Sequence, residues 1–355
     1  MTSKLSALGC IAAMGLWTTS CGTSDETFEH AHCNSAEDYT LPTEDEAEVS
    51  LHRHPADGPP VLLVHGVSAN HRSWDLTHDR SLGVALQEAG FDAWLLDLRG
   101  HGSAPKPDGN WSMDDYGQYD VPAAIAFIQE KTGFSRVAYV GHSMGGMVGI
   151  IYQAIHGDDA LFAMVIVGTP VEFSDRDPLI RASRAALVAG GAFSTVHTPP
   201  MARFAASMRS LPLNADTLLF NPDNMESDAR AQMYQEVVSP MYRGEITHIR
   251  RVVRDATLVS LDGSVDYVQT LSQLQTPLLV MAGAADKIGP PDRVRPIFEM
   301  AGSPTKAFVL AGIEGEYGVD YGHLDLQMGD KASMEIYPTI IEWIDTEATS
   351  MTLIQ

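Results

Sequence analysis

The chain has 355 residues, 45% of them apolar, which fits one large α/β domain with an insertion or two domains. Its formal charge of -23 excludes a nucleic-acid partner, whose phosphates it would repel, and electrostatic docking on an anionic membrane. The acidity is uneven: nine acids and no Lys or Arg lie between Asp25 and Glu48, against ten Arg and nine acids from Val171 to Arg254.

Met1 to Lys4 is a short basic start, and Leu5 to Trp17 is an apolar run of signal-peptide length. Thr18-Thr19-Ser20-Cys21 then resembles a bacterial lipobox, although Thr18 stands where that motif usually has Leu. Residues 1–21 are therefore expected to be a lipoprotein-type signal peptide, with Cys21 acylated and the protein anchored outside the cytoplasm through that lipid only. The alternative is ordinary cleavage near Cys21 and a periplasmic or secreted protein. Cys10 leaves with the signal; Cys33 is a lone thiol in the first case and a partner for Cys21 in the second. The polar, acidic segment 22–50 reads as a flexible tether. No later apolar run is long enough to cross a bilayer.

Pro59-Pro60 introduces Val61 to Val64, a continuous apolar run suited to a strand buried on both faces, ending at His65-Gly66-Val67. Asp79 to Ala89 reads as a helix stopped by Gly90, and Phe91 to Asp97 as the next strand, running into the turn Arg99-Gly100-His101-Gly102. Ser112 and Asp115 form a capping-box-like helix start, and Pro122 should kink that helix or begin a fresh segment. Phe134 to Val140 is a strand feeding Gly141-His142-Ser143-Met144-Gly145-Gly146, and Met147 to Ile155 leaves it as an apolar helix. Strand, Gly-x-Ser-x-Gly, helix is the context of a nucleophile elbow. Gly141 and Gly145 are needed because side chains there would meet the neighbouring strand and helix. Strict alternation of strands and helices predicts a parallel, doubly wound sheet. In an α/β-hydrolase arrangement the oxyanion-hole donors are the N–H groups of Val67 and Met144. Asp97 and His101 precede the serine, the wrong chain order for triad partners, and read as turn-forming and supporting residues.

Trp111 to Gly133 through Gly141-His142-Ser143 is similar to the acid lipases of gastric and lysosomal type and their bacterial α/β-hydrolase relatives. So are His65-Gly66, Ser81 to Leu86, Ala89 to Leu95, Tyr321 to Leu326 and the stretch near Ile341 to Trp343. The likeness covers both flanks of the catalytic domain and fades in the middle. Met144-Gly145-Gly146 and Arg99-Gly100-His101-Gly102 are closer to general bacterial esterases. The resemblance implies an α/β-hydrolase fold, with a mostly parallel sheet and a helical cap inserted after the sixth strand.

Leu161 to Gly168 is a buried strand, and the next core strand is Pro277 to Met281; the hundred or so residues between are too many for a loop. Residues 171–272 are expected to be a mostly helical lid over Ser143, and residues 51–170 with 273–355 the catalytic domain. Helical patterns occur at Ile180 to Val188 and Ser227 to Val238. Phe193, Met201, Phe204, Met208, Met233, Tyr234, Met241 and Tyr242 are candidates for an acyl pocket or for plain lid core.

The loop after the Pro277 strand carries Asp286, which matches the triad acid of the resembled family; Asp292 is the runner-up but reads as a helix cap, and Asp262 and Asp266 are further alternatives. After the strand Ala307 to Leu310 comes Tyr321-Gly322-His323-Leu324-Asp325. His323 is the only histidine after Asp286, which completes the order Ser143, Asp286, His323. The expectation is a serine hydrolase of apolar carboxylic esters working through an acyl-enzyme, with acyl transfer to an alcohol as the alternative and a binding protein that has lost catalysis as a remoter one. The partner is a small-molecule or lipid ester. No metal-ligand spacing or phosphate-cradling glycine loop occurs, so no metal and no cofactor are expected.

Overall fold

The computed structural model describes residues 37–173, 195–208 and 216–352. The signal segment, Cys21, Cys33, the helical pattern at 180–188 and Phe193 lie outside the described residues. The frame is an eight-stranded sheet: β1 (Glu37–Pro42), β2 (Glu48–His54), β3 (Pro60–Val64), β4 (Asp92–Asp97), β5 (Val137–His142), β6 (Leu161–Val167), β7 (Leu278–Gly283) and β8 (Lys306–Ala311). The spatial order is β1-β2-β4-β3-β5-β6-β7-β8. β1 and β2 are antiparallel to their neighbours; every other pairing is parallel.

β3 to β7 are apolar on both faces because both faces are covered. Leu62 and Val64 point to one side, where they pack with Tyr139, Val148 and Ile151; Val61 and Leu63 point to the other, against Leu86, Ile336 and Ile340. α1 (Leu82–Glu88) and the long C-terminal helix (Ala332–Thr352) cover the second face, and α2 (Val121–Thr132) and α3 (Met144–His156) the first.

Two boundaries differ from expectation, and a third, at Pro122, falls as expected. Residues 37–50 do not behave as a tether: they form β1 and the start of β2. Tyr39 packs on Trp94 and Phe127, and Arg53 joins Glu37 to Asp92 across the sheet. The segment is legible as a strand only through alternate residues, because β1 is an edge with one face in water. The helix expected at Asp79 starts instead at Leu82, since Ser81 caps it through the Val84 N–H (2.9 Å). Ahead of Pro122 lies a π-helical turn, Tyr116–Asp120; the proline sits in the first turn of the segment that follows, where its missing N–H costs nothing.

Between β6 and β7 the described residues form α4 (Thr198–Met208), α5 (Ser227–Glu236), α6 (Arg243–Asp255) and shorter turns, so this insertion is largely helical. It has its own small core, where Phe220, Met225, Met233 and Tyr234 pack with Leu76 and Met328 of the frame.

Candidate active site

β5 delivers Ser143 to a turn with φ 53° and ψ -118°, a strained conformation for a residue with a side chain. The glycines around it make the turn possible. A Cβ on Gly141 would lie 2.6 Å from the Gly145 carbonyl, and one on Gly145 2.4 Å from the Val64 carbonyl oxygen. The Ser143 N–H donates to Val167 O (2.9 Å), tying the turn to β6. Thr169 Oγ1 donates to Ser143 O (3.0 Å) and Tyr139 Oη to Gly145 O (2.6 Å).

The loops after β7 and β8 bring Asp286 and His323 to that turn. His323 Nε2 is 2.9 Å from Ser143 Oγ, and His323 Nδ1 is 2.7 Å from Asp286 Oδ2. Asp286 Oδ1 accepts the N–H groups of Ile288 and Gly289 (2.8 Å each), which leaves Oδ2 aimed at the imidazole. All three side chains are buried. The runner-up acids lie elsewhere. Asp292 is in the first turn of the helix Pro291–Met300 without serving as its cap, Asp266 caps the turn Tyr267–Thr270, and Asp262 closes a loop with Ser260 and Ser264.

The N–H groups of Val67 and Met144 have no hydrogen-bond acceptor among the described residues. Val67 and Ser143 line one cavity of about 390 Å³, and Met144 directly follows the serine at the start of α3. The cavity wall is nearly all apolar, from Ala69, Leu219, Val237, Val238, Ile288 and Leu324. Of the expected lid side chains, Met201, Met233 and Tyr234 line it. Tyr242 does not: it packs on Trp111 and His101 and donates to Gly100 O (2.8 Å). Met241 joins it in a two-residue ladder with Thr195–Val196.

Sequence reasoning passed over His142. Its Nε2 donates to the carbonyl of His323 (3.0 Å), and burial, helped by the nearby His323, keeps its own pKa well below the usual value and the ring neutral. No spacing signal announces this contact, which joins residues 181 positions apart.

Asp97 supports the site from below. It is fully buried; burial alone would raise its pKa, but His71 and His52 hold it well below the ordinary range. It accepts the N–H of His71 (2.7 Å) and of Ser103 (2.8 Å), bracing the loop that carries Val67. Among the described residues, His52, His71 and Asp97 are the one group with metal-ligand side chains in reach of one another. The two imidazoles stack at 3.6 Å, and His52 Nε2 (3.1 Å) and His71 Nδ1 (2.9 Å) both meet Asp97 Oδ2, so the carboxylate oxygen occupies the point on which the rings converge. The cluster is a hydrogen-bond hub.

Residues 59–309 match the family described as alpha/beta hydrolase fold. The chain belongs to that family. This α/β-hydrolase is 38% identical over 136 residues to the human lysosomal acid lipase/cholesteryl ester hydrolase, a stretch covering 33% of the chain and 34% of the relative. It is 35% identical over 136 residues to mouse gastric triacylglycerol lipase, again 33% and 34%. The matched stretch thus spans about a third of the length of these curated relatives. A thermophilic esterase from Thermogutta terrifontis superposes with a TM-score of 0.60 over 88% of this chain and 100% of its own, at 20% identity, a likeness of fold.

Proposed function

We propose that the protein is a serine hydrolase of carboxylic esters with apolar acyl chains, using Ser143 as nucleophile, His323 as general base and acid, and Asp286 to orient and stabilise the imidazole. The observation that carries this reading is the unbroken hydrogen-bond chain from Ser143 Oγ through His323 to Asp286 at the wall of an apolar cavity. Neutral His323 takes the Ser143 proton as the hydroxyl oxygen attacks the ester carbonyl. The carbonyl oxygen, now negative, is met by the N–H groups of Val67 and Met144, worth about 3 kcal/mol each by analogy with other oxyanion holes. Collapse expels the alcohol, which receives the proton from imidazolium, and water repeats the sequence to free the acid. Apolar esters are favoured because a polar acyl chain would leave its hydrogen bonds unmade against this wall. The names of the lipase relatives point the same way.

Wild type should be labelled by a fluorophosphonate and Ser143→Ala should not; equal behaviour of the two sinks the reading. A p-nitrophenyl ester series from acetyl to palmitoyl, with and without methanol, fixes the chain length and tells hydrolysis from acyl transfer. We also propose export through residues 1–21 with acylation at Cys21. In a bacterial host Cys21→Ala should release the protein from the membrane fraction, and unchanged fractionation would refute the anchor.

A further inference from the structure

Asp325 follows His323 by two residues and is fully buried. Its Oδ1 accepts from the Asn221 N–H (3.1 Å), and its Oδ2 from the Gly322 N–H and from Asn224 Nδ2 (3.0 Å each). Two of these three donors belong to the cap. Around them the Leu324 N–H donates to Leu219 O (2.8 Å), Asn221 Nδ2 to Asp320 O (2.8 Å) and the Asp330 N–H to Asn224 O (2.9 Å). A Cβ on Gly322 would stand 2.7 Å from the Asn221 nitrogen, so the two segments meet backbone to backbone. Burial pushes the Asp325 carboxyl up to about 6 against the pull of these donors. A carboxylate in so dry a place destabilises the fold unless its acceptors are engaged, and here the cap engages them.

We propose that Asp325 is a positioning residue, fastening cap segment 219–224 to the loop that carries His323 so that one wall of the acyl cavity and the base move as a single body. Leu219 and Leu324 both line that cavity, one from each side of the junction. An acyl chain seated against them bears on the backbone next to His323, which links occupancy of the cavity to alignment of the base. Cap motions that admit substrate must then use other segments, because parting this one strands buried N–H and amide donors.

This inference rests on the hydrolase reading, and the experiment separates the two. The full chain is compared with Asp325→Asn, Asn224→Ala and the exchange Asp325→Asn/Asn224→Asp. The measurements are kcat and KM on p-nitrophenyl butyrate and the rate of fluorophosphonate labelling, with thermal melts to verify folding. Asp325→Asn should lose on the order of 100-fold in kcat and in labelling rate, the scale of a misplaced reacting group, while KM stays within about threefold. Asn224→Ala should fall in the same direction by less. The exchange should recover none of kcat, because an amide at position 325 turned toward a carboxylate at 224 sets its N–H groups against the Gly322 N–H. Wild-type rates in Asp325→Asn, or a loss confined to KM, overturn the inference. If Asp325→Asn does not fold, Asn224→Ala decides it, and labelling as fast as wild type overturns it. An unlabelled wild type overturns the hydrolase reading and this inference with it.

Discussion

Ser143 holds a backbone conformation that costs on the order of 1–3 kcal/mol, and the fold over-determines it through glycines on either side. Gly145→Ala places a methyl 2.4 Å from a carbonyl oxygen of β3, where neither backbone can yield. That variant should be insoluble or unfolded. Ser143→Ala should instead fold with an unchanged melting temperature and lose about a millionfold in kcat, the scale set by serine-protease nucleophile deletions; expression, melting and burst kinetics distinguish the two. A second prediction concerns Glu245 of α6, which is fully buried with Oε1 lacking a partner and 3.7 Å from His101 Nε2. Burial raises its pKa to about 8, and burial lowers that of His101 to about 4, so the pair is neutral at pH 7. A carboxyl whose folded pKa is raised binds its proton more tightly in the native state, so its contribution is present below the unfolded pKa and is lost as pH rises through about 8. Glu245→Gln should flatten the decline in melting temperature between pH 5 and pH 8; an unchanged slope removes Glu245 as its source. At this scale much of the candidate site was legible in the sequence: Ser143 stands in its strand-turn-helix context and His323 is the only histidine after Asp286, whereas Asp286 was singled out from Asp292, Asp262 and Asp266 by its match to the acid-lipase family. His142, Thr169 and the Asn221–Asp325 contact were not legible, since each acts through space across tens to hundreds of positions.

The five inner strands announce themselves as continuous apolar runs because helices cover both faces, whereas β1 carries Glu37 and Asp38 and buries only Leu41 fully. An acidic, half-wet edge strand and a tether have the same composition, which is why the boundary at residue 50 was misplaced. The difference is physical and has a test. A chain begun at residue 51 lacks β1 and the start of β2, removes Glu37 from Arg53 and Tyr39 from the Trp94 ring, and leaves the rest of β2 as an unpaired edge beside β4. It should aggregate, since a long unpaired edge is a template for pairing. A chain begun at residue 36 should stay soluble with a melting temperature near that of the longer protein. Equal solubility and melting of the two truncations would restore the tether reading. The cap, by contrast, was legible chiefly from what it was not: the gap between two buried strands was too long for a loop, and broken helical patterns filled it.

At the scale of the whole molecule the charge is unevenly divided along the chain. All of the net -23 lies outside residues 171–254, where ten Arg outnumber nine acids by one. The apolar cavity opens among residues of that near-neutral stretch, with Met201 63% exposed and Val67 36% exposed beside it. Among the described residues no helix is long and apolar enough to cross a membrane. Approach to a neutral interface costs little electrostatic work, while approach to an anionic one sets the frame's charge against it. The repulsion acts over the Debye length, about 30 Å at 0.01 M salt and about 8 Å at 0.15 M. The frame's repulsion of an anionic surface is thus largely screened at the second salt strength and not at the first. Hydrolysis of an acylglycerol emulsion coated with anionic lipid should therefore be slow in 0.01 M salt and rise severalfold in 0.15 M. The same emulsion coated with zwitterionic lipid should show little salt dependence, and a soluble p-nitrophenyl ester none. A rate on the anionic emulsion that is indifferent to salt, or faster than on the zwitterionic one at low salt, would show that approach is governed by the local cap surface and not by the field of the whole chain.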